Sequence, residues 1–184
     1  GIHGRQLRLI SVDDGNEPQR AAANTRRLVD EERVFVMFAN SGTPQTVAAM
    51  KVLQERGVPL IGTTSGADSV QAHQPLLFHY KASYGQELAR IATHLKTIGI
   101  TRVALAYSPD PTGQEGRSLA EAALKAQGIN PLAVSSTKAE DATRLLAGFA
   151  TAPPQAVVLT SLAGPGAAFF KQLVQLPLPP QVFT

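Results

Sequence analysis

The sequence predicts an α/β protein built on parallel β-sheets, and three observations carry that expectation. Strand-length apolar runs alternate with amphipathic helices along all 184 residues. Runs such as 34–38 and 103–107 are apolar throughout, the mark of strands covered on both faces. The rhythm also restarts after one long helix at 83–98, which predicts two separate sheets divided near Ala82–Tyr84. Strands separated by helices of this length are joined by right-handed βαβ crossovers.

Residues 7–12, rich in Leu and Ile, form the first expected strand and run into the turn Asp13-Asp14-Gly15. Asn16 is the expected N-cap of the next helix, with Pro18 in its first turn and Ala21, Thr25, Leu28 and Val29 as its stripe. A strand at 34–38 leads to a helix at 44–55, with Val47, Met50 and Leu53 facing inward and Gly57 ending it. Residues 58–62 are a third strand and 76–80 a further extended segment, with an irregular stretch at 63–74 between them. Ser83 and Gln86 form a capping box for the long helix, whose Tyr84, Leu88, Ile91, Leu95 and Ile98 repeat at helical spacing. Beyond it, strands at 103–107, 131–134, 156–159 and 181–183 alternate with helices at 113–126, 141–149 and 167–174.

Composition narrows the function classes. Hydrophobic residues make up 43% and charged residues 17%, enough for a packed core and too little charge for a disordered chain. No apolar stretch is long enough to span a bilayer as a helix. The formal charge is +3 and the pI about 9.5, but Lys and Arg are interspersed with acidic neighbours, as on solvated helix faces. A nucleic-acid surface calls for a clustered basic patch, and the chain has no Trp for base stacking. Cysteine is absent, which excludes disulfides and thiol chemistry. Because 1–4 lead straight into the first expected strand, a signal peptide and the true N-terminus are expected to lie upstream.

In open α/β sheets, ligands bind in the crevice beyond the C-terminal strand ends. Four polar loops are expected there: 40–43, 63–66, 108–112 and 161–166. Asn40-Ser41-Gly42-Thr43-Pro44 joins a strand to a helix start, whose unpaired N–H groups favour an anion. Gly62-Thr63-Thr64-Ser65-Gly66 adds hydroxyls and two glycines that let a ligand approach the backbone. Together the loops form a candidate neutral cradle for a carboxylate. The competing reading is that these Ser and Thr residues only cap helices and turns.

Catalytic and cofactor chemistry finds no support in the residues. Neither a P-loop nor a dinucleotide fingerprint is present, and no nucleophile elbow surrounds a serine. Gly113 and Gly116 fall inside a predicted helix. His3, His73, His79 and His94 are widely separated, with no metal-ligand spacing. Asp13-Asp14 is expected to make a turn and cap the following helix rather than act as a carboxylate pair. The expectation is a non-enzyme without cofactor or metal.

In their order and spacing, several short motifs resemble type I periplasmic solute-binding proteins, which include the leucine/isoleucine/valine-binding proteins. They are Gly1-Ile-His-Gly4-Arg5, Leu9 through Gly15, Gly42-Thr43-Pro44, Gly57-Val58-Pro59, Ser65-Gly66-Ala67, Lys81-Ala82-Ser83-Tyr84, and Gly99-Ile100 with the strand ending at Tyr107. The resemblance implies two doubly wound parallel-sheet lobes that close over a ligand, both incomplete here: 1–82 as the first and 83–184 as the beginning of the second. It implies that Ser41, Gly42 and Thr43 with Thr64, Ser65 and Gly66 hold an amino acid's α-carboxylate. Tyr84 belongs to the segment where the chain first crosses between lobes, and it too is an expected ligand contact. Thr112 and Ala163 fall where relatives place an aromatic ring over the ligand, so small residues there imply different packing. The acidic partner of the ammonium is expected beyond Thr184. The implied function is capture of an amino acid or related carboxylate in an interlobe cleft, for delivery to an ABC permease in the membrane from the periplasm or from an anchored extracellular position. A ligand-sensing domain of a receptor or regulator is the alternative, and a nucleotide-dependent enzyme is disfavoured by the missing fingerprints.

Overall fold

The computed structural model describes residues 3–72 and 75–184. Gly1 and Ile2 of the motifs above, and His73 and Gln74 at the end of the irregular stretch, lie outside the described residues. The chain divides into two compact units, Gly1–Ala82 and Ser83–Thr184. Each carries its own all-parallel sheet.

The first unit contains helices α1 (Pro18–Asp30), α2 (Thr43–Arg56) and α3 (Asp68–Gln71) and strands β1 (Met37–Phe38), β2 (Leu60–Ile61) and β3 (Leu77–Phe78). Its strands run in the order β1-β2-β3. Ala21, Thr25 and Leu28 are the buried stripe of α1, and Gly57 closes α2 in the left-handed conformation. Leu60 on β2 is 1% exposed among Met50, Leu53, Val58, Leu76 and Leu77, so α2 covers that face of the sheet. Burying such a leucine contributes about 1.5–3 kcal/mol.

Several expectations for this unit are corrected. Residues 7–12 form no strand: a strand exists only through a neighbour's ladder, and Leu7 and Leu9 stay exposed with none among the described residues. Asn16 is not an N-cap, because it turns into a left-handed conformation at φ 61° and the helix opens from Glu17 instead. Asp13 and Asp14 do form the turn, their side chains accepting from the Gly15 and Asn16 amides, and Asp14 reaches the helix start only through its carbonyl, which accepts from the Glu17 amide at 3.0 Å. Val47 faces out, and part of the irregular stretch is the short helix α3. The strands are also bare on one side: Phe38, Ile61 and Phe78 stand in register across the sheet and remain 67%, 43% and 54% exposed.

The second unit contains α4 (Tyr84–Thr97), β4 (Val103–Tyr107), α5 (Pro111–Ala126), β5 (Ala133–Ser136), α6 (Ala139–Gly148), β6 (Ala156–Thr160), α7 (Ala163–Leu173) and β7 (Gln181–Phe183). Strand order is β5-β4-β6-β7, with each crossover supplied by a helix. Side chains alternate across the pleat. Val103, Leu105 and Val158 meet Leu88, Leu95, Ala120 and Leu124 of α4 and α5 on one face. Ala104, Ala106, Val157 and Leu159 meet Ala142, Leu145, Phe169 and Leu173 of α6 and α7 on the other. The Ser83–Gln86 capping box forms as the sequence indicates. Ile98 is the exception on the expected face of α4. It sits at the C-cap, 47% exposed, while Ala92 takes the buried place.

Candidate functional site

The polar loops of the first unit meet at the C-terminal ends of β1 and β2. Gly42 precedes α2 at φ 78°, a conformation that costs any residue with a Cβ. As the N-cap residue, Gly42 has no side chain with which to cap the helix. The first three amides of a helix have no internal partner, and Pro44 has no N–H. Thr43 and Gln45 are thus the helix-start donors, with Ser41 exposed beside them.

Hydrogen bonds stitch the second loop to the first, among them a 3.3 Å contact from Thr63 Oγ1 to the Asn40 carbonyl. The Thr64 amide donates to the Asn40 carbonyl at 2.9 Å. The Gly42 amide donates to Thr64 Oγ1 at 3.3 Å. The hydroxyl oxygens of Thr43 and Ser65 lie 2.8 Å apart. Ser41, Gly42, Thr43, Thr64, Ser65 and Gly66 therefore share one edge of one sheet. Ser65 is 1% exposed and Gly66 is buried behind the more accessible Thr43 and Thr64. No ionisable residue occurs in 39–46 or in 62–67, so the local field comes from the helix start and the oriented hydroxyls.

Three side chains outside the expected ligand contacts hold these loops in place. Thr46, fully buried on α2, places its Oγ1 2.7 Å from the Gly42 carbonyl and 2.9 Å from Thr63 Oγ1. Thr63, 1% exposed, also accepts from the Ser65 amide at 3.1 Å. Gln45 donates to the Asn16 carbonyl at 2.6 Å and ties the α1 turn to the start of α2. The usable signal was spacing: Thr46 stands four residues after Gly42, within reach of its carbonyl.

In the second unit, Thr112 is the half-buried second residue of α5 and Ala163 the exposed first residue of α7. They follow β4 and β6, which are adjacent, with Tyr107 opposite Thr160. Ser108 joins the two loops by accepting from the Leu162 amide at 3.3 Å, and Asp110 caps α5 through the Gly113 amide at 3.0 Å. Gly113 and Gly116 allow α5 to close on Ser108 and Thr160, a packing role and not a phosphate loop. Tyr84 is the half-buried first residue of α4. On α5, Arg117 pairs with Glu121 at 3.0 Å, and that hydrogen bond raises its pKa above the ordinary arginine value. Burial lowers the pKa of His79, whose Nδ1 has no partner among the described residues. Those residues include no group of three or more His, Asp or Glu side chains arranged to hold a metal ion.

Comparison with known proteins gives consistent matches. The family model described as periplasmic binding protein matches residues 1–184. A substrate-binding periplasmic protein from Ralstonia solanacearum superposes with a TM-score of 0.84 at 32% identity, covering 99% of this chain and 52% of that one. A possible leucine/isoleucine/valine-binding protein from Rhodopirellula baltica gives 0.83 at 26% identity, covering 98% and 51%. An amino acid binding protein from Pseudomonas aeruginosa is 32% identical over 71 residues, 39% of this chain and 18% of that relative. The chain thus spans about half the length of the solved structures it matches.

Proposed function

This chain belongs to the periplasmic binding protein family, and from that premise we propose that it captures an amino acid or a related small carboxylate. The observation that carries the reading is the uncharged cradle, in which Thr43 and Ser65 hydroxyls meet 2.8 Å apart beside the uncapped start of α2. Oriented N–H and O–H donors stabilise a carboxylate at about 1.5–3 kcal/mol per charge-assisted bond without a buried counter-ion. The amino-acid ligands named for the Pseudomonas and Rhodopirellula proteins favour the same class. Tyr84, Thr112 and Ala163 are assigned as further ligand contacts on the resemblance alone. The protein binds without chemistry. It works in the periplasm, as its family's name implies, and delivers its ligand to an ABC permease.

The test is calorimetric titration of L-leucine, L-valine and leucinamide into the protein expressed from its full reading frame. The carboxylate reading expects the acids to bind at least tenfold tighter than the amide, the loss of about one charge-assisted bond. Equal affinity for leucine and leucinamide would sink it.

A further inference from the structure

We propose that Thr46 and Thr63 are positioning residues that preset the cradle, and that Ser65 donates its hydrogen bond to Thr43, so that the Thr43 hydroxyl is the one that donates to a carboxylate. The inference rests on the carboxylate reading above and assigns separate tasks to residues that the sequence could only group together.

Proton counting carries the argument. A hydroxyl owns one proton and two lone pairs, whereas a carbonyl only accepts. The closest partner of Thr46 Oγ1 is the Gly42 carbonyl at 2.7 Å, so the Thr46 proton goes there. Thr46 then accepts from Thr63 at 2.9 Å, since the Asn40 carbonyl is farther from Thr63, at 3.3 Å. Thr63 in turn accepts from the Ser65 amide at 3.1 Å. The result is a one-directional chain from the Ser65 N–H through both hydroxyls to the Gly42 carbonyl, and bonds aligned in this way reinforce one another. Both hydroxyls are buried, so the chain joins the undersides of the two cradle loops away from water.

The same counting settles the upper pair. Ser65 Oγ already accepts from the Ala67 amide at 3.2 Å and lies against Thr43 Oγ1. One proton joins the two hydroxyls, which leaves one proton over. If Thr43 donated, the spare proton would sit on Ser65, buried and without an acceptor among the described residues. Buried donors are almost always satisfied. Ser65 therefore donates to Thr43, and the spare proton belongs to Thr43 at the more accessible helix start.

Two measurements on the protein from its full reading frame test this. In hydrogen exchange, the Ser65 amide should exchange at least tenfold faster in Thr63→Val than in wild type, and Thr63→Ser should restore protection. This readout needs no ligand. In titrations with L-leucine and leucinamide, Thr43→Val should cut the acid-over-amide preference by about tenfold. Thr46→Val and Thr63→Val should cut it too, with the serine variants restoring it, because valine keeps the shape and serine keeps the hydroxyl. A lowered melting temperature with an unchanged acid-over-amide ratio in Thr46→Val and Thr63→Val would overturn the positioning role. A full wild-type preference retained in Thr43→Val would overturn the assignment of the donor. If wild type shows no preference while Ser65 exchange responds as expected, the carboxylate reading fails and the ligand role with it, and only the structural hydroxyl chain remains.

Discussion

Gly113 on α5 and Ser108 after β4 approach so closely that a Cβ on the glycine would come within 2.8 Å of the Ser108 carbonyl carbon, and closer still to its oxygen. The first atom there is backbone and cannot swing away. Gly113→Ala should therefore destabilise the protein by about 1–3 kcal/mol, the range for overpacking a close contact. Gly148 at the end of α6 is the control, since a Cβ there meets nothing within 4 Å. Gly148→Ala should be neutral or stabilising by about 0.5–1 kcal/mol. Urea denaturation of both variants checks the pair, and equal effects would remove the close-approach argument.

Gly42 should matter twice. Its φ of 78° is strained for alanine, and its amide and carbonyl both serve the cradle. With ψ at 143° it lies where essentially only glycine is found, so Gly42→Ala should lower stability by about 1–3 kcal/mol and weaken leucine binding more than leucinamide binding. Unfolding and titration of the one variant read both outcomes.

Removal of the capping box should be felt in the second unit. Ser83→Ala loses the acceptor for the Gln86 amide and should cost about 0.5–2 kcal/mol, while Ser83→Asp should keep most of it. Thermal unfolding of the two variants gives the comparison, and a matching loss in both would argue against a cap.

His79 makes stability depend on pH. Burial lowers its folded pKa below the ordinary histidine value, so the unfolded chain takes up the proton first. Its contribution is complete above about pH 6.5. It is lost as pH falls from there through the folded value. His79→Phe removes both the titration and the unpaired Nδ1. Between pH 7 and pH 5, the melting temperature of wild type should fall further than that of the variant. Parallel curves would show that His79 does not couple protonation to folding.

In the second unit the order of helices and strands was legible because each announces itself locally, but some ends moved: α7 opens at Ala163 and not at 167, and β5 runs over Ala133–Ser136 and not 131–134. The strand at 103–107, the cap of α4 and the strand at 181–183 stand where periodicity and cap chemistry put them. The first unit was less legible. Residues 7–12 have the composition of a strand, yet pairing is a property of two segments and a single one cannot show it.

For the candidate site, the sequence by itself determined which loops follow which strands, that they carry hydroxyls and glycines, and that they carry no charge. Those facts come from the order of elements along the chain and from residue chemistry, both local properties. Only the tertiary structure decided which hydroxyl faces which. Thr43 meets Ser65 across 22 positions and Thr46 meets Thr63 across 17, because parallel pairing of β1 with β2 sets their ends side by side. A proton's direction depends on every acceptor around its oxygen, and those acceptors are assembled by the sheet.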